Sequence, residues 1–442
     1  MRARLSTLLF CLICPGAHAV AQAAAIAFVD VNVVPMDAER ILRGQTVIVQ
    51  GDEITAIGRV DDVEVPAGAR VIGSEGEAYL VPGLADMHTH VDGVQHLPLY
   101  IANGVTTMLH MGQAPAELVA TVNEAIDEGR VVGPRLFFAL LVDGPGSHAG
   151  LTVATPAAAR EAVRSAAAEG YAFIKVYNGL DARVFAAIVD EAEAVGLAVI
   201  GHGVRDLGLP DALFAGQVMV AHAEEFFYTA FENRADRERI DDVARETLDS
   251  GAYVTPNLST FEVIAAQWGR PEVVDAYLAD ARAGRMTPFL RSFWAGRDYV
   301  TREGDITPML GFLRELTRAF AEAGVPLLTG TDSPVIPGMF PGYSLHDDLD
   351  ALVRAGLSRY DALAAATRMP SQFIETFVAQ ARPFGRVEPG MKADLLLVRS
   401  NPLEELETLR SPLGVMSAGR WRDAGELEAL VAELEAAHQP EP

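Results

Sequence analysis

The feature that most constrains the fold of this chain is a series of eight short apolar runs between residues 84 and 333. Most of the runs are continuous rather than alternating, which is typical of strands buried on both faces. Alanine-rich amphipathic stretches, such as residues 156–170 and 182–196, fill the gaps and predict helices. Eight strand and helix units in series predict an α/β fold, a (β/α)8 barrel. The eight runs are LADMHTHV, VTTMLHMG, RLFFALLVDG, AFIKVYN, LAVIGHGV, QVMVAHAEEF, AYVTPNLS and VPLLTGTDS.

Two β-rich segments flank the barrel sequence. Residues 24–80 and 384–425 alternate apolar and polar positions between glycine and aspartate turns, as antiparallel strands do. Neither segment could close a core alone, so we predict one small β-sandwich domain built from both termini. The barrel then occupies residues 81–383, and residues 426–442 form an acidic C-terminal helix or tail.

One connection in the barrel is longer than a barrel helix needs. Residues 259–307 form a helical insertion that is rich in aromatic side chains. Aromatic residues are usually buried, which favours extra core helices, whereas a functional interpretation is a lid over the barrel mouth. The aromatic residues are Phe261, Trp268, Tyr277, Phe289, Phe293, Trp294 and Tyr299.

Residues 1–23 have the composition of a signal peptide. Arg2 and Arg4 precede a short apolar stretch, and small residues that suit a cleavage site follow it. Cys11 and Cys14 are the chain's two cysteines, so the mature protein would contain no thiol, disulfide or cysteine metal ligand. We expect an exported protein that is periplasmic or secreted.

Charge and hydropathy limit the partners. With 35 basic and 60 acidic residues the net charge is −25, which argues against binding nucleic acid or anionic membrane surfaces. No apolar stretch is long enough to predict a membrane span. These features favour a small-molecule substrate and are compatible with a homo-oligomer.

Side chains able to bind metals end several of the predicted strands. His88 and His90 project from the same face of one strand, which places two nitrogen donors on the barrel axis. A single histidine at a strand end is more often a hydrogen-bonded core residue, and Asp332 alone could be a turn former. Their joint placement at strand ends favours metal binding, because this is where (β/α)8 barrels hold catalytic groups. The full set is His88, His90, Lys175, His202, His222 and Asp332.

Lysine is rare in this chain. Lys175 and Lys392 are the two lysines, against 33 arginines. A neutral amine can react with carbon dioxide to form a carbamate that bridges two cations, whereas a guanidinium is never deprotonated. Lys175 lies in an apolar run, where a solvated surface lysine would not be expected, and therefore fits this chemistry.

Several motifs together resemble the amidohydrolase superfamily of metal-dependent hydrolases. They are VPGLADMHTHV, IKV, VIGHG, VAH, TGTDSP and GRVEPGMKADLLLVRSNPLEEL. The chain is most similar to the imidazolonepropionase-like and Xaa-Pro dipeptidase-like branch, and the similarity covers nearly all of the mature chain. The resemblance implies two divalent metal ions, expected to be zinc.

The resemblance also implies the role of each ligand. His88, His90 and Asp332 would hold one zinc ion. His202 and His222 would hold the other, and N6-carboxylated Lys175 would bridge the two. Two such cations would produce a bridging hydroxide that attacks a carbonyl, with Asp332 as proton shuttle to the leaving amine.

Five further residues are candidates for substrate binding. His148 lies in a glycine-rich loop where similar enzymes have a substrate-contacting histidine, although it could equally be a plain loop residue. Tyr228 could donate to an oxyanion, and simple burial of its ring is the alternative. Tyr177 and Arg205 follow predicted ligands in the sequence. His110 replaces the family's usual acidic residue, which leaves substrate contact, support of a ligand and packing open.

We therefore expect an exported binuclear hydrolase of amide or peptide bonds in small substrates such as dipeptides or N-acyl amino acids. A lactone, carboxylic ester or phosphotriester hydrolase would use the same metals, and the ligand set does not separate these activities. A metal- or ligand-binding protein without activity is disfavoured by Asp332, since a decayed site should lose its proton shuttle first.

Overall fold

The computed structural model of the chain describes residues 25–91, 93–146 and 150–438. The signal peptide predicted at residues 1–23 lies outside these ranges. The strands are β1 (Ile26–Val33), β2 (Leu42–Gln50), β3 (Glu53–Arg59), β4 (Arg70–Gly73), β5 (Tyr79–Pro82), β6 (Leu84–Thr89), β7 (Val105–His110), β8 (Arg135–Asp143), β9 (Leu151–Thr152), β10 (Phe173–Val176), β11 (Ala198–Gly201), β12 (Gln217–Ala221), β13 (Tyr253–Thr255), β14 (Leu395–Val398), β15 (Gly414–Ser417) and β16 (Arg420–Asp423). The helices are α1 (Leu97–Ala102), α2 (Ala116–Asp127), α3 (Pro156–Glu169), α4 (Ala182–Val195), α5 (Leu209–Phe214), α6 (Glu224–Thr229), α7 (Ile240–Ser250), α8 (Leu258–Gln267), α9 (Pro271–Ala279), α10 (Pro288–Ala295), α11 (Thr307–Ala323), α12 (Ser344–Ala355), α13 (Arg359–Ala365), α14 (Arg368–Phe377) and α15 (Ala424–His438).

The central sheet is a parallel barrel. Its strands follow the order β6, β7, β8, β10, β11, β12 and β13. Parallel bridges from Leu327 to Val254 and from Ser333 to Thr89 close it, so residues 327–333 act as the eighth strand. The predicted (β/α)8 barrel is confirmed.

Strand β10 explains how a continuous apolar run places a polar group on the barrel axis. Phe173 belongs to the cluster inside the barrel, whereas Ile174 and Val176 belong to the cluster between barrel and helices. Successive side chains of a strand point to opposite faces, so Lys175 shares the inner face with Phe173. The run therefore buries both faces and carries Lys175 to the axis.

The barrel helices have the capping residues that their sequence predicts. The Thr155 side chain accepts a hydrogen bond from Ala158 N at the start of α3, and Asp181 accepts two at the start of α4. These helices end at Gly170 and Gly196 with φ of 89° and 78°, a left-handed conformation that glycine adopts without steric cost.

The small domain is a separate sheet built from both ends of the chain, in the order β16, β15, β14, β5, β1, β2 and β3. Phe28 on β1 lies 5.1 Å from Trp421 on β16 between ring centroids, in an edge-to-face contact. Three strands separate β1 from β16, so a flat sheet would hold them about 19 Å apart. The sheet must therefore curl over itself, which gives the predicted β-sandwich its enclosed core.

Helices α8, α9 and α10 form the predicted insertion after β13. Trp294 is fully buried in a small core with Phe340 and Tyr277, whereas Phe289 is exposed. The remaining four aromatic residues of the insertion line a cavity at the barrel mouth. The insertion therefore combines a core of its own with a wall of the cavity.

Helix α15 packs against this insertion. Arg291 Nη2 donates to the carbonyl of His438 at 3.1 Å, and His438 Nδ1 lies 2.9 Å from the carbonyl oxygen of Arg285.

Across the part of the chain that the structure describes, no helix has the length and apolar character needed to cross a membrane.

Candidate metal centre

The six predicted ligands lie at the C-terminal ends of five barrel strands. His88 is the next-to-last residue of β6, His90 follows the strand, and Lys175 lies on β10. His202 and His222 directly follow β11 and β12, and Asp332 lies in the closing segment. Parallel strands of a barrel direct these ends to one face, so the side chains meet there.

Four of the side chains converge on one point. His88 Nε2 lies 3.2 Å from His90 Nε2 and 3.1 Å from Lys175 Nζ. Asp332 Oδ1 lies 2.8 Å from His90 Nε2 and 3.5 Å from His88 Nε2. Crowding of nitrogen donors around one carboxylate is the arrangement of a cation site.

The remaining two histidines continue this cluster. His222 has a ligand atom within 4.8 Å of those of His88 and Asp332, a group of the size that can hold a metal ion. The ring centroids of His202 and His222 lie 4.8 Å apart, and those of His88 and His222 lie 4.5 Å apart. All six predicted ligands therefore belong to one buried cluster, which we call the cage.

Burial sets the protonation of the cage. It lowers the pKa of His88 and His202 well below the usual value, and that of His222 to about 3, so these imidazoles are neutral. Burial alone would raise the pKa of Asp332, but His90, which is hydrogen-bonded to it, and the nearby Lys175 lower it. Neutral imidazole and ionised carboxylate are the forms that bind metal ions.

The pKa of Lys175 is also lowered by burial. Burial lowers its pKa to about 8, although the charges of Asp332 and the nearby glutamates oppose the shift. The Nδ1 atoms of His202 and His222 are buried and have no hydrogen-bond partner among the described residues. Unpaired buried nitrogen atoms are costly, so the donor set fits a metal centre better than a hydrogen-bonded core.

The backbone of two cage residues is strained. His222 and Asp332 have φ of 77° and 56°, a region that residues with side chains adopt at a cost of about 1–3 kcal/mol. Asp332 N donates to the carbonyl of His88 at 2.7 Å, and His222 N donates to the carbonyl of Thr255 at 2.9 Å. These bonds turn both side chains toward the barrel axis.

Asp86 supports the cage from below, and the sequence interpretation missed it. Its carboxylate accepts from Thr331 Oγ1 at 2.6 Å, from Thr331 N at 3.1 Å and from His88 N at 3.3 Å. These bonds connect β6 to the closing segment beside Asp332. An acidic residue within the apolar run LADMHTHV was an available signal, since a buried carboxylate needs partners.

Glu224 and Glu225 were also missed. Both are buried, and burial raises the pKa of both, with the charge of Glu225 adding to the effect on Glu224. Glu225 accepts from Asn178 Nδ2 at 2.9 Å, and Oε2 of Glu224 has no hydrogen-bond partner among the described residues. Two adjacent acids after an apolar strand, in AHAEEF, could have indicated them.

A cavity of about 760 Å³ lies above the cage, and cage residues form part of its lining. Tyr177 and Tyr228 line this cavity, and the Tyr177 ring lies 4.0 Å from that of His202 between centroids. Arg205 is exposed, and its guanidinium lies 5.7 Å from the centroid of the Tyr228 ring, outside the cavity lining. The structure therefore brings the two tyrosines, but not Arg205, to the candidate substrate space.

The two remaining candidates for substrate binding are His110 and His148. His110 is buried behind His90, and its Nδ1 accepts from Val91 N at 3.0 Å. This contact with the segment that follows β6 favours a supporting role over substrate contact. His148 lies outside the described residues, so its substrate role stays a prediction.

A polar cage below a cavity at the C-terminal face of a (β/α)8 barrel defines a candidate metal-dependent enzyme site. A family model described as the amidohydrolase family matches residues 79–422. The chain belongs to the amidohydrolase family, as the sequence motifs indicated, and is a hydrolase acting on carbon–nitrogen bonds. The comparison with curated proteins gives no significant match.

Solved structures share the fold over nearly the whole chain. A bottromycin amidohydrolase is 25% identical with a TM-score of 0.73, covering 94% of this chain and 90% of that one. A Xaa-Pro dipeptidase with methionine bound in its active site is 19% identical with a TM-score of 0.69, covering 90% and 100%. A prolidase complexed with N-methylphosphonate-L-proline is 20% identical with a TM-score of 0.68, covering 90% and 100%.

Proposed function

We propose that the protein is a binuclear metal-dependent amidohydrolase that cleaves an amide or peptide bond of a dipeptide or an N-acyl amino acid. It acts outside the cytoplasm after removal of residues 1–23. The observation that carries this proposal is the convergence of the cage at the floor of the cavity. The volume of this cavity, about 760 Å³, lies within the range of small-molecule pockets, about 300–1,000 Å³.

The cage divides into two sets of ligands. His88, His90 and Asp332 would hold one divalent ion, which we take to be zinc. His202 and His222 would hold the second, and carboxylated Lys175 would contact both. When bound, the ions supply Lewis acidity toward the substrate carbonyl and the attacking water.

The residues of the chain supply the proton transfers and the orientation. Asp332, ionised at neutral pH, takes the proton from the attacking water and returns it to the leaving nitrogen. Tyr228 lines the cavity, and burial raises its pKa, so its hydroxyl stays protonated and can donate to the oxygen of the attacked carbonyl.

The structural relatives support the choice of substrate. The bound molecules named for two of them are methionine and N-methylphosphonate-L-proline. Both are amino acids or amino-acid derivatives, so related cavities accept compounds of this class. The apolar part of the cavity wall in this chain, formed by residues such as Ile264 and Met309, suits an amino-acid side chain.

The test is reconstitution with metal followed by a substrate panel. The secreted protein is stripped with a chelator, reloaded with zinc, and assayed on dipeptides, N-acyl amino acids, lactones and phosphotriesters. We expect activity to depend on zinc and kcat/KM to be highest on the dipeptides or N-acyl amino acids. Activity that survives full metal removal, or a clear preference for lactones or phosphotriesters, would overturn the proposal.

A further inference from the structure

The insertion brings two arginines to the cavity wall, and their surroundings differ. Arg302 is exposed and its Nη2 lies 2.5 Å from Asp298 Oδ2, so its charge is neutralised. Arg297 has no carboxylate within ion-pair distance among the residues that the structure describes. Its Nε is buried and has no hydrogen-bond partner there. Arg297 thus offers the cavity a cation without a counterion.

Aromatic rings hold the Arg297 guanidinium in place. It lies 5.2 Å from the ring centroid of Phe293 and 5.3 Å from that of Tyr299. Its Nη2 also donates to Tyr299 Oη at 3.4 Å, which leaves the tyrosine proton available for another acceptor. Cation–π contacts restrict the side chain, so less entropy is lost when it binds an anion.

Arg297 and Tyr299 face the same cavity as the cage. Burial raises the pKa of Tyr299, and the charge of Asp332 adds to this shift. Trp268, Ile264 and Met309 line the cavity around them. An anion at Arg297 would therefore belong to the molecule whose amide lies over the cage.

We propose that Arg297, with the Tyr299 hydroxyl, binds the free α-carboxylate of the amino acid that leaves as the amine. The inference rests on the proposed amide hydrolysis and assigns its carboxylate recognition to the insertion. A guanidinium fork matches a carboxylate, and the apolar wall takes the side chain of the same amino acid. Substrates that lack this carboxylate are then poor substrates.

The test compares two peptides that differ in the carboxylate alone, L-alanyl-L-leucine and L-alanyl-L-leucinamide. The zinc-loaded wild type should prefer the free acid about 10- to 100-fold in kcat/KM, as expected for a charge-assisted hydrogen bond. Arg297→Gln should remove that preference mainly by raising KM for the acid, with a much smaller effect on cleavage of the amide. Arg297→Lys keeps the charge without the fork and should give an intermediate preference.

Arg302→Gln is the matched control, because it removes a cation that lines the same cavity but already has a partner. It should keep the wild-type preference. Three results would overturn the proposal: no preference in the wild type, a full preference in Arg297→Gln, or an equal loss on both peptides.

If the wild type cleaves neither peptide, the substrate panel decides the proposed function, and the carboxylate site is tested separately by calorimetric titration of the uncleaved pair. Tighter binding of the acid that Arg297→Gln abolishes would support the site. Equal binding of the two peptides to the wild type would refute it.

Discussion

The barrel mouth and the small β domain each contain one of the two lysines of the chain, and their surroundings differ. Lys175 is 1% exposed, lies 3.1 Å from His88 Nε2, and has no carboxylate within ion-pair distance among the described residues. Lys392 instead lies 3.0 Å from Asp52 Oδ2 in a partly exposed salt bridge.

The comparison separates two uses of an amine. The role of Lys392 requires a positive charge, which arginine also supplies. The role of Lys175 requires an amine that can become neutral, and burial lowers its pKa to about 8. A neutral amine can form the carbamate, whereas arginine cannot lose its proton. Of its two lysines, the chain thus keeps one at a position where only lysine suits the proposed chemistry.

The largest difference between the two sites should appear when each lysine is exchanged for arginine. Lys175→Arg should lower kcat/KM by roughly a thousand-fold or more, because the cage loses the group proposed to bridge its ions. Lys392→Arg should keep kcat/KM within about twofold, since the salt bridge is preserved. Steady-state kinetics measures both, and circular dichroism checks that each variant folds. Equal activity of the two variants would remove the distinction between the lysines.

A smaller loss of activity should follow from a substitution that displaces His88 by steric contact and leaves all six cage residues unchanged. A Cβ at Gly330 would lie 2.4 Å from Thr255 Cγ2 and 2.7 Å from His88 Cβ. Gly330→Ala should therefore displace His88 and lower kcat by about 100-fold, as misplacement by about 1 Å can do. Gly311→Ala is the control, because a Cβ there meets nothing within 4 Å. Wild-type kcat in Gly330→Ala would show that the cage tolerates this displacement.

Loss of one hydroxyl at the barrel mouth should have a weaker effect. Tyr228→Phe should reduce kcat by about 10-fold with little change in KM, if the hydroxyl donates to the developing oxyanion. Tyr177→Phe is the matched control, since Tyr177 lines the same cavity next to His202. The assignment fails if Tyr177→Phe lowers kcat and Tyr228→Phe does not.

The smallest effect is expected from a substitution in the small domain, which should change the free energy of unfolding but not the activity. Burial alone would raise the pKa of Asp52, but hydrogen bonds from Arg382 and Lys392 lower it to about 2. The stabilisation is therefore present above the unfolded pKa of about 4 and is lost as the pH falls toward 2. Asp52→Asn should cost about 1 kcal/mol at pH 7, after allowance for solvent screening of this partly exposed group, and should not change kcat.

Urea unfolding at pH 7 and at progressively lower pH measures this difference. The difference in the free energy of unfolding between wild type and Asp52→Asn should become smaller between about pH 4 and pH 2. If this difference is the same across the range, the ion pair does not contribute to stability.

Much of the fold could be predicted because its signals are local. Each of the eight apolar runs corresponds to one barrel strand, including residues 327–333, which closes the barrel through the bridges of Leu327 and Ser333. The cage residues were found for the same reason, since His202 and His222 directly follow their strands and barrel geometry directs strand ends to one face.

The features that the sequence did not predict depend on contacts between distant segments of the chain. Asp348 on α12 accepts from Ser259 Oγ at 3.0 Å and from Gly330 N at 3.2 Å, connecting the start of the insertion to the closing segment. No periodicity in the sequence predicts these partners. Arg297 is similar, because its position in the cavity wall depends on how α8, α9 and α10 pack together.

The cage is proposed to bind two ions that carboxylated Lys175 would hold together. Metal analysis of the zinc-replete protein by inductively coupled plasma mass spectrometry tests this proposal most directly, with Lys175→Ala measured in parallel. We predict two equivalents of metal per wild-type chain and at most one in the folded variant. A wild-type chain without bound metal, or a variant that still binds two equivalents, would contradict the account.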